Sequence, residues 1–570
     1  SKYLTPRIGF MTSTRRDFLK SAGVAGVVGA GFGNLTPYGL SLRSGTQERH
    51  MLPPDILPVV FLSGSDYEMG YQYGQQAAAH IHLNIQGSWA SALQRMSHDQ
   101  VVAGLKGSQY YIERHTPEII EMVKGMAAGV TAAGYETSYE DALMMNVVLP
   151  DPATSNMPGG AEQADLPPRK SCSVCSAWGS ATKDGRLVGL DTVDGGGEAF
   201  RAVVIVAFPD NGHNYMCGAV AGEMGEHFYI NNNGMFIGNS GGGASPRDED
   251  YDYGLCWANA LPHIIRFADN AVEARDIMTG FPINFPENFH FVDQEHRSFV
   301  VEKTAAIQAV RSSGDFGEDD FLFSTNTYLH DDMAVTKFGE FVKEHGGYDP
   351  YSSPRNMLFW DMLHNYHGEI DVEFMKMILR FPGNPPPTPP DGGWDAKICR
   401  PSNGWVSVSV PHKGDDGLAN VCTGPAGRVI HSSMASDGSD LLSNYQYIDG
   451  THTFYRLRLA ADPKAVVDQA KEHAYEDLAT AYKVLMQLNY RDTGYAALED
   501  LHSLANAEYY RGNIATDEAL LSSGNEALKL FGKAATQYTR AQAHAMPVSY
   551  THLTLPTNRV AGGGGGGGGG

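Results

Sequence analysis

The stretch SCSVCSAWGSATKDGRLVGLDTVD, residues 171–194, constrains this chain more than any other. Lys183-Asp184-Gly185 is a hairpin signal, because Asp-Gly supplies the positive φ angles that a tight turn requires. Thr182 before it and Leu187-Val188 after it suit paired strands, so the first strand of the hairpin opens at Cys172. A strand-initial cysteine can become a new N-terminus. Cleavage before Cys172 would put a free α-amine on the residue that carries the thiol. An α-amine titrates near ~8, so nucleophile and base would then share one residue. The preceding loop, residues 150–170, is rich in Pro, Gly and Asp and ends in Arg169-Lys170-Ser171. Such a loop reads as exposed, which suits a cut between Ser171 and Cys172. On this reading the chain is an autoprocessing hydrolase or acyltransferase.

With 570 residues, 42% hydrophobic and 19% charged, the chain has ample material for a core. A net charge of −23 disfavours nucleic acid or an anionic membrane surface as a main partner. Beyond the N-terminal segment no apolar run reaches the ~20 residues of a membrane span. Arg15-Arg16 precedes a mild apolar, glycine-rich run, Ser21 to Phe32, which reads as a twin-arginine export signal. That signal implies the twin-arginine machinery as a partner and a periplasmic or extracellular location. An oxidising compartment permits disulfides among Cys172, Cys175, Cys217, Cys256, Cys399 and Cys422, and export of a folded chain does not require them.

Residues 1–45 are therefore assigned to export signal and linker, and 46–171 to a largely helical segment that cleavage would turn into a short chain. Residues 172–460 change to short strands and turns and form the expected catalytic core. β-Branched or alternating runs mark Ala202 to Phe208, Tyr229 to Gly238, Phe291 to Glu302 and Trp405 to Val410 as strands, and Trp257 to Thr279 and Arg355 to Leu379 as helical. Residues 461–545 read as a helical extension. Residues 546–570, which resemble translated adapter sequence ending in a glycine tract, read as a non-native tail. Strands and helices in separate groups suit an α+β layered domain.

Cys172-Ser173-Val174-Cys175 is also a CxxC, which admits three other readings. A thioredoxin-like pair sits at a helix N-terminus, whereas a strand and hairpin follow here. A zinc half-site needs a second Cys/His pair, and Cys399 and His412 are poorly spaced for one. Two structural cysteines, or a disulfide, is the third. The glycine clusters Gly195-Gly196-Gly197 and Gly241-Gly242-Gly243 lack the Lys-Ser/Thr partner of a phosphate cradle and read as loops beside a site.

Five segments carry a family resemblance that spans roughly residues 58–440. They are GSDYEMGYQYGQ (64–75), CSVCSAWGSATKDG from Cys172, NNNGM (231–235), STNTYLHDDM (324–333) and SSPRNML (352–358). In order and spacing they resemble the cysteine N-terminal-nucleophile (Ntn) hydrolases of the acyl-coenzyme A:isopenicillin N acyltransferase type. They also resemble phospholipase B-like proteins and, more distantly, the bile salt hydrolase, penicillin V acylase and acid ceramidase group. The resemblance implies a four-layer αββα sandwich, an acylated small-molecule substrate, a thioester acyl-enzyme, and no metal or organic cofactor. It implies Cys172 as nucleophile, with Cys175 selected instead by the spacing of the smaller relatives. Asn326 and Arg355 match residues that support the acyl site, Asn239 matches an oxyanion donor, and Asp194 matches the acid that orients the nucleophile's amine. Asp191 stands where the family usually has a basic residue, a departure that bears on substrate recognition. Two other functions remain open: a phospholipase B-like esterase on the same scaffold, and a non-catalytic exported binding protein.

Overall fold

The computed structural model describes residues 56–149, 172–194, 201–242, 252–335, 353–381, 398–399, 403–414, 416–426, 428–432, 445–449, 453–488 and 495–554. The export signal, Ser171 with the loop before it, Gly195 to Gly197, Gly243 and the glycine tract lie outside these residues. Sixteen strands and twelve α-helices occur among the described residues.

Eight strands form the larger sheet: β1 (Val59–Gly64), β4 (Ala202–Pro209), β5 (Tyr215–Val220), β6 (His227–Asn231), β7 (Phe236–Gly241), β8 (Glu287–Val292), β9 (Ser298–Lys303) and β10 (Gln308–Ser312), in that spatial order. Six form the smaller sheet, in the order β11 (Phe321–Ser324), β2 (Ser173–Gly179), β3 (Gly185–Asp194), β12 (Asn403–Val410), β13 (Leu418–Thr423) and β16 (Tyr455–Arg458). A two-stranded ribbon pairs β14 (Arg428–Ser432) with β15 (Tyr445–Asp449). The β2–β3 hairpin forms where the sequence places it, and Gly185 supplies a φ of 75° at its turn. Among the described strands of the two large sheets, β1 and β4 pair in parallel and the other ladders are antiparallel.

The two sheets pack face to face. Ser176 Oγ on β2 lies 2.7 Å from His290 Nε2 on β8, across the interface. A Cβ on Gly189 of β3 would meet the Phe236 ring of β7 at 2.6 Å, so the sheets touch there. The outer face of the larger sheet carries the helices Trp257–Phe267 and Ala271–Gly280. Asn231 donates to the Ile265 carbonyl, and Lys303 Nζ to those of Met278 and Thr279. The outer face of the smaller sheet carries the helices Ser353–Asn365 and Val372–Leu379. Phe359, Leu363, Met375 and Ile378 form a second core with Cys175, Val188, Leu190 and Val406. The layer order is helix, sheet, sheet, helix.

The described part of segment 46–171, residues 56–149, does not sit apart from this sandwich. Its strand β1 pairs with β4 over Val59 to Gly64, and Tyr73 Oη accepts from the Gly222 amide. A cut at 171/172 would leave this segment held by a complete strand ladder. At the other end, the helices Pro463–Gln487, Tyr495–Leu520 and Gly524–Thr554 pack together. Thr536 Oγ1 on the last of them accepts from the Val59 amide. That helix does not stop at Ala545: Val548 is buried with Leu485, Leu501 and Ala545, because an apolar residue there covers the seam between the other two helices.

Candidate active site

Strand alternation decides how the two cysteines of the CxxC differ. Side chains three residues apart on a strand point to opposite faces. Cys175 faces the helical layer, where its Sγ lies 3.8 Å from Met375 Sδ. Burial, with the Asp191 charge adding to it, pushes the Cys175 thiol pKa far up. Cys172 faces the larger sheet instead, with its Sγ 3.9 Å from His227 Nε2. All six cysteines are free, so no disulfide joins these two.

His227 Nδ1 donates to Asp191 Oδ1 at 2.9 Å, which leaves Nε2 aimed at the thiol. Asp191 Oδ2 accepts from the Phe228 amide at 2.9 Å. Thiol, imidazole and carboxylate therefore form one chain of contacts through the seam between the sheets, each residue 2% exposed or less. The Trp405 ring lies edge-on to the imidazole, 6.4 Å between centroids. Two backbone features build this arrangement. Phe228 adopts a left-handed φ of 46°, which breaks the alternation at the start of β6. The His227 side chain and the Phe228 amide thereby both reach Asp191. The β5–β6 register also shifts between Met216 and Gly218, and Gly218 pairs with His227. Such bulges re-aim side chains. Gly238 completes the space: a Cβ there would sit 2.6 Å from Val174 Cγ1 and 3.1 Å from Asp191 Oδ2.

Burial alone would hold His227 neutral, but the Asp191 charge and hydrogen bond outweigh it and raise the imidazole pKa well above its usual value. Burial pushes the Asp191 carboxyl up, while the His227 charge and the bonds from His227 and Phe228 pull it back. The neighbouring His290 contrasts with this. Burial, reinforced by Arg311, pulls its pKa down to about 3, so the imidazole that contacts Ser176 is neutral.

Arg355 occupies the helical side of the same strand. Its Nη1 donates to the Cys172 carbonyl at 2.8 Å and to Ser173 Oγ at 2.9 Å, and its Nη2 donates to Asn326 Oδ1 at 3.0 Å. Asn326 Nδ2 in turn donates to the Gly241 carbonyl at 3.0 Å. The segment after β11 is clamped separately: Glu302 accepts from the amides of Leu329 and His330 and from Arg311 Nε at 2.6 Å.

The structure thus brings Cys172, Arg355 and Asn326 together. Asp194 pairs with Asn403 through its side chain and shares the face of Thr192, opposite to that of Asp191. Asn239 is not brought to the thiol. It donates to Glu287 Oε1 at 2.8 Å on the outer face of the larger sheet, one residue out of step with Gly238 beside Asp191. Asp191, which the sequence marks as a departure, holds the imidazole. His227 was not anticipated from the sequence; the available signal was the parity of Asp191, which buries a carboxylate that needs a partner. Among the described residues no group of three or more His, Cys, Asp or Glu could hold a metal ion, and no helix is long and apolar enough to cross a membrane.

No family model matches the chain. An uncharacterized protein of Archaeoglobus fulgidus is 24% identical over 354 residues, 57% of this chain; the chain spans only 57% of that relative's length. Among solved structures, the chain is similar to a Caenorhabditis elegans N-acylethanolamine-hydrolyzing acid amidase ortholog, at 13% identity and a TM-score of 0.29, over 42% of this chain and 93% of that one. It is also similar to penicillin V acylase from Agrobacterium tumefaciens, at 12% identity and 0.28, over 44% and 83%. A conjugated bile acid hydrolase from Clostridium perfringens matches at 11% identity and 0.29, over 48% and 96%.

Proposed function

We propose that this chain is a thiol-dependent Ntn-type hydrolase or acyltransferase that acts on an amide-linked acyl group. The observation that carries the reading is the position of Cys172: its thiol alone of the CxxC faces the seam between the sheets and meets an imidazole, while Cys175 is packed against Met375. The helix–sheet–sheet–helix layering and the five-segment resemblance support it. The chain cuts itself between Ser171 and Cys172, and the α-amine so released lies beside the thiol. In turnover the thiolate attacks the substrate carbonyl, the amine leaves, and water or an acceptor amine resolves the thioester. Arg355 and Asn326 hold the start of β2 and the loop after β11 in register around that thiol. The twin-arginine pattern at Arg15-Arg16 supports a location for this activity outside the cytoplasm.

Intact-mass and N-terminal analysis of the purified protein tests the self-cleavage, with Cys172→Ala as control. Two species with Cys172 at a new N-terminus, absent from the variant, are expected; a single uncut wild-type chain contradicts the reading. Release of fatty acid from N-acyl amides, compared with phosphatidylcholine vesicles, distinguishes the amidase from a phospholipase B-like esterase.

A further inference from the structure

Before the bond between Ser171 and Cys172 is cut, the Cys172 nitrogen is an amide, whose lone pair is delocalised and not basic. The α-amine that would serve as base in the mature enzyme does not yet exist. The first reaction of the chain therefore needs a proton acceptor from elsewhere. We infer that His227, positioned by Asp191, is the general base and acid of the self-cleavage step. This rests on the self-cleavage proposed above and adds the group that drives it.

The geometry supports the assignment on three independent points. His227 Nε2 is the side-chain atom that contacts Cys172 Sγ, in the continuous chain, with Nδ1 fixed by Asp191. The backbone bends to produce this contact, through the left-handed Phe228 and the β5–β6 bulge. A left-handed non-glycine residue carries backbone strain and persists where its surroundings over-determine it. Finally, a buried ion pair adds little stability over an apolar pair of the same volume, so packing alone gives no reason for Asp191 and His227 here. Among the described residues, the ionisable groups that face the imidazole are Asp191 on β3 and Cys172 just before β2. Glu226 precedes it in the chain and acts on Asp191. Arg355 lies on the other face of β2, bound to the Cys172 carbonyl.

The step balances without any oxidant or cofactor. The reacting form is the neutral imidazole, with Nδ1–H on Asp191 and Nε2 unprotonated: Nε2 takes the thiol proton, Asp191 stabilises the imidazolium so formed, and the thiolate forms a bond to the Ser171 carbonyl carbon as its oxygen becomes an oxyanion. Collapse of that intermediate breaks the C–N bond. The departing nitrogen takes the proton from Nε2–H and becomes the Cys172 α-amine. Ser171 is left as a thioester on Sγ, and one water hydrolyses it to the Ser171 carboxylate and the free thiol.

The test follows the cut fraction of freshly synthesised full chain by intact mass, in wild type, His227→Ala, His227→Gln, Asp191→Asn and Cys172→Ala. Removing a general base costs about 10²–10⁴-fold, so His227→Ala is expected to cleave at least ~100-fold slower, with partial recovery in added imidazole. His227→Gln keeps a hydrogen-bonding partner for Asp191 and serves where the alanine variant does not fold. Equal rates in wild type and in a folded His227 variant overturn the inference and leave the proposed function standing. If wild type itself stays uncut, the self-cleavage reading fails instead. Iodoacetamide alkylation of Cys172 in that uncut chain then measures the base directly. A drop of ~10-fold or more without His227 supports His227 as base to the Cys172 thiol, and no drop overturns it.

Discussion

Replacing Arg355 by Met gives the sharpest energetic test of how the site is held. The guanidinium is 1% exposed and donates to three acceptors: the Cys172 carbonyl, Ser173 Oγ and Asn326 Oδ1, at 2.8, 2.9 and 3.0 Å. Hydrogen bonds from a charged donor contribute about 1.5–3 kcal/mol each. The two acceptors on β2 are buried, and a buried polar atom left bare costs about 1–3 kcal/mol. Methionine also relieves the desolvation of a buried charge, which offsets part of the loss. The net expectation is a destabilisation of about 3–4 kcal/mol for Arg355→Met. Lysine keeps the charge but not the planar fork, so it reaches one side of the gap between β2 and Asn326 and recovers roughly half. Urea unfolding in a Cys172→Ala background, where the chain stays in one piece, measures both. A loss below ~1 kcal/mol for Arg355→Met, or a lysine variant no better than methionine, refutes the idea that this fork ties strand to loop.

Three further outcomes follow from the same geometry. His227 has a raised folded-state pKa, so its stabilisation is complete below about pH 6.5 and is lost as pH rises through the folded value. The raised Asp191 acts in the same direction at lower pH. Unfolding midpoints of wild type should therefore fall from about pH 6 to about pH 8. In Asp191→Asn burial opposes the charged imidazole with only the Cys172 contact against it, and the dependence should weaken. Gly238→Ala puts a methyl 2.6 Å from Val174 Cγ1, and overpacking of that kind costs about 1–3 kcal/mol, readable as a lower melting temperature. Cys175→Ala removes one sulfur from the core around Met375 at a cost of about 1 kcal/mol, and self-cleavage should persist at the wild-type rate; a Cys175 variant that stays uncut would hand the role to that thiol.

Much of the scaffold was legible because its signals are local. The Asp-Gly turn fixed the β2–β3 hairpin, the β-branched run at Ala202 fixed β4, and apolar periodicity marked the helices after Trp257 and Pro463. Arg355 and Asn326 were reachable only through the order of motifs, since neither residue type announces a site by itself. The imidazole beside Cys172 was hidden for a physical reason. Its contact with Cys172 joins residues 55 apart in sequence, and depends on a left-handed phenylalanine that no propensity favours. Asn239 lies on the face opposite to Gly238 for a related reason: a one-residue step along β7 moves a side chain to the other face of the sheet. Even so, the parity of β3 placed Asp191 in the seam, and a buried carboxylate there asks for a partner.

The central claim is that the Cys172 thiol carries the acyl group during turnover. Acid-quenched incubation with an N-acyl amide, followed by peptide mass spectrometry, measures this directly. An acyl mass increment is expected on the peptide that begins at Cys172, located on that residue and absent from Cys172→Ala. An increment on Cys175, or turnover with no adduct that survives in Cys172→Ala, would contradict it.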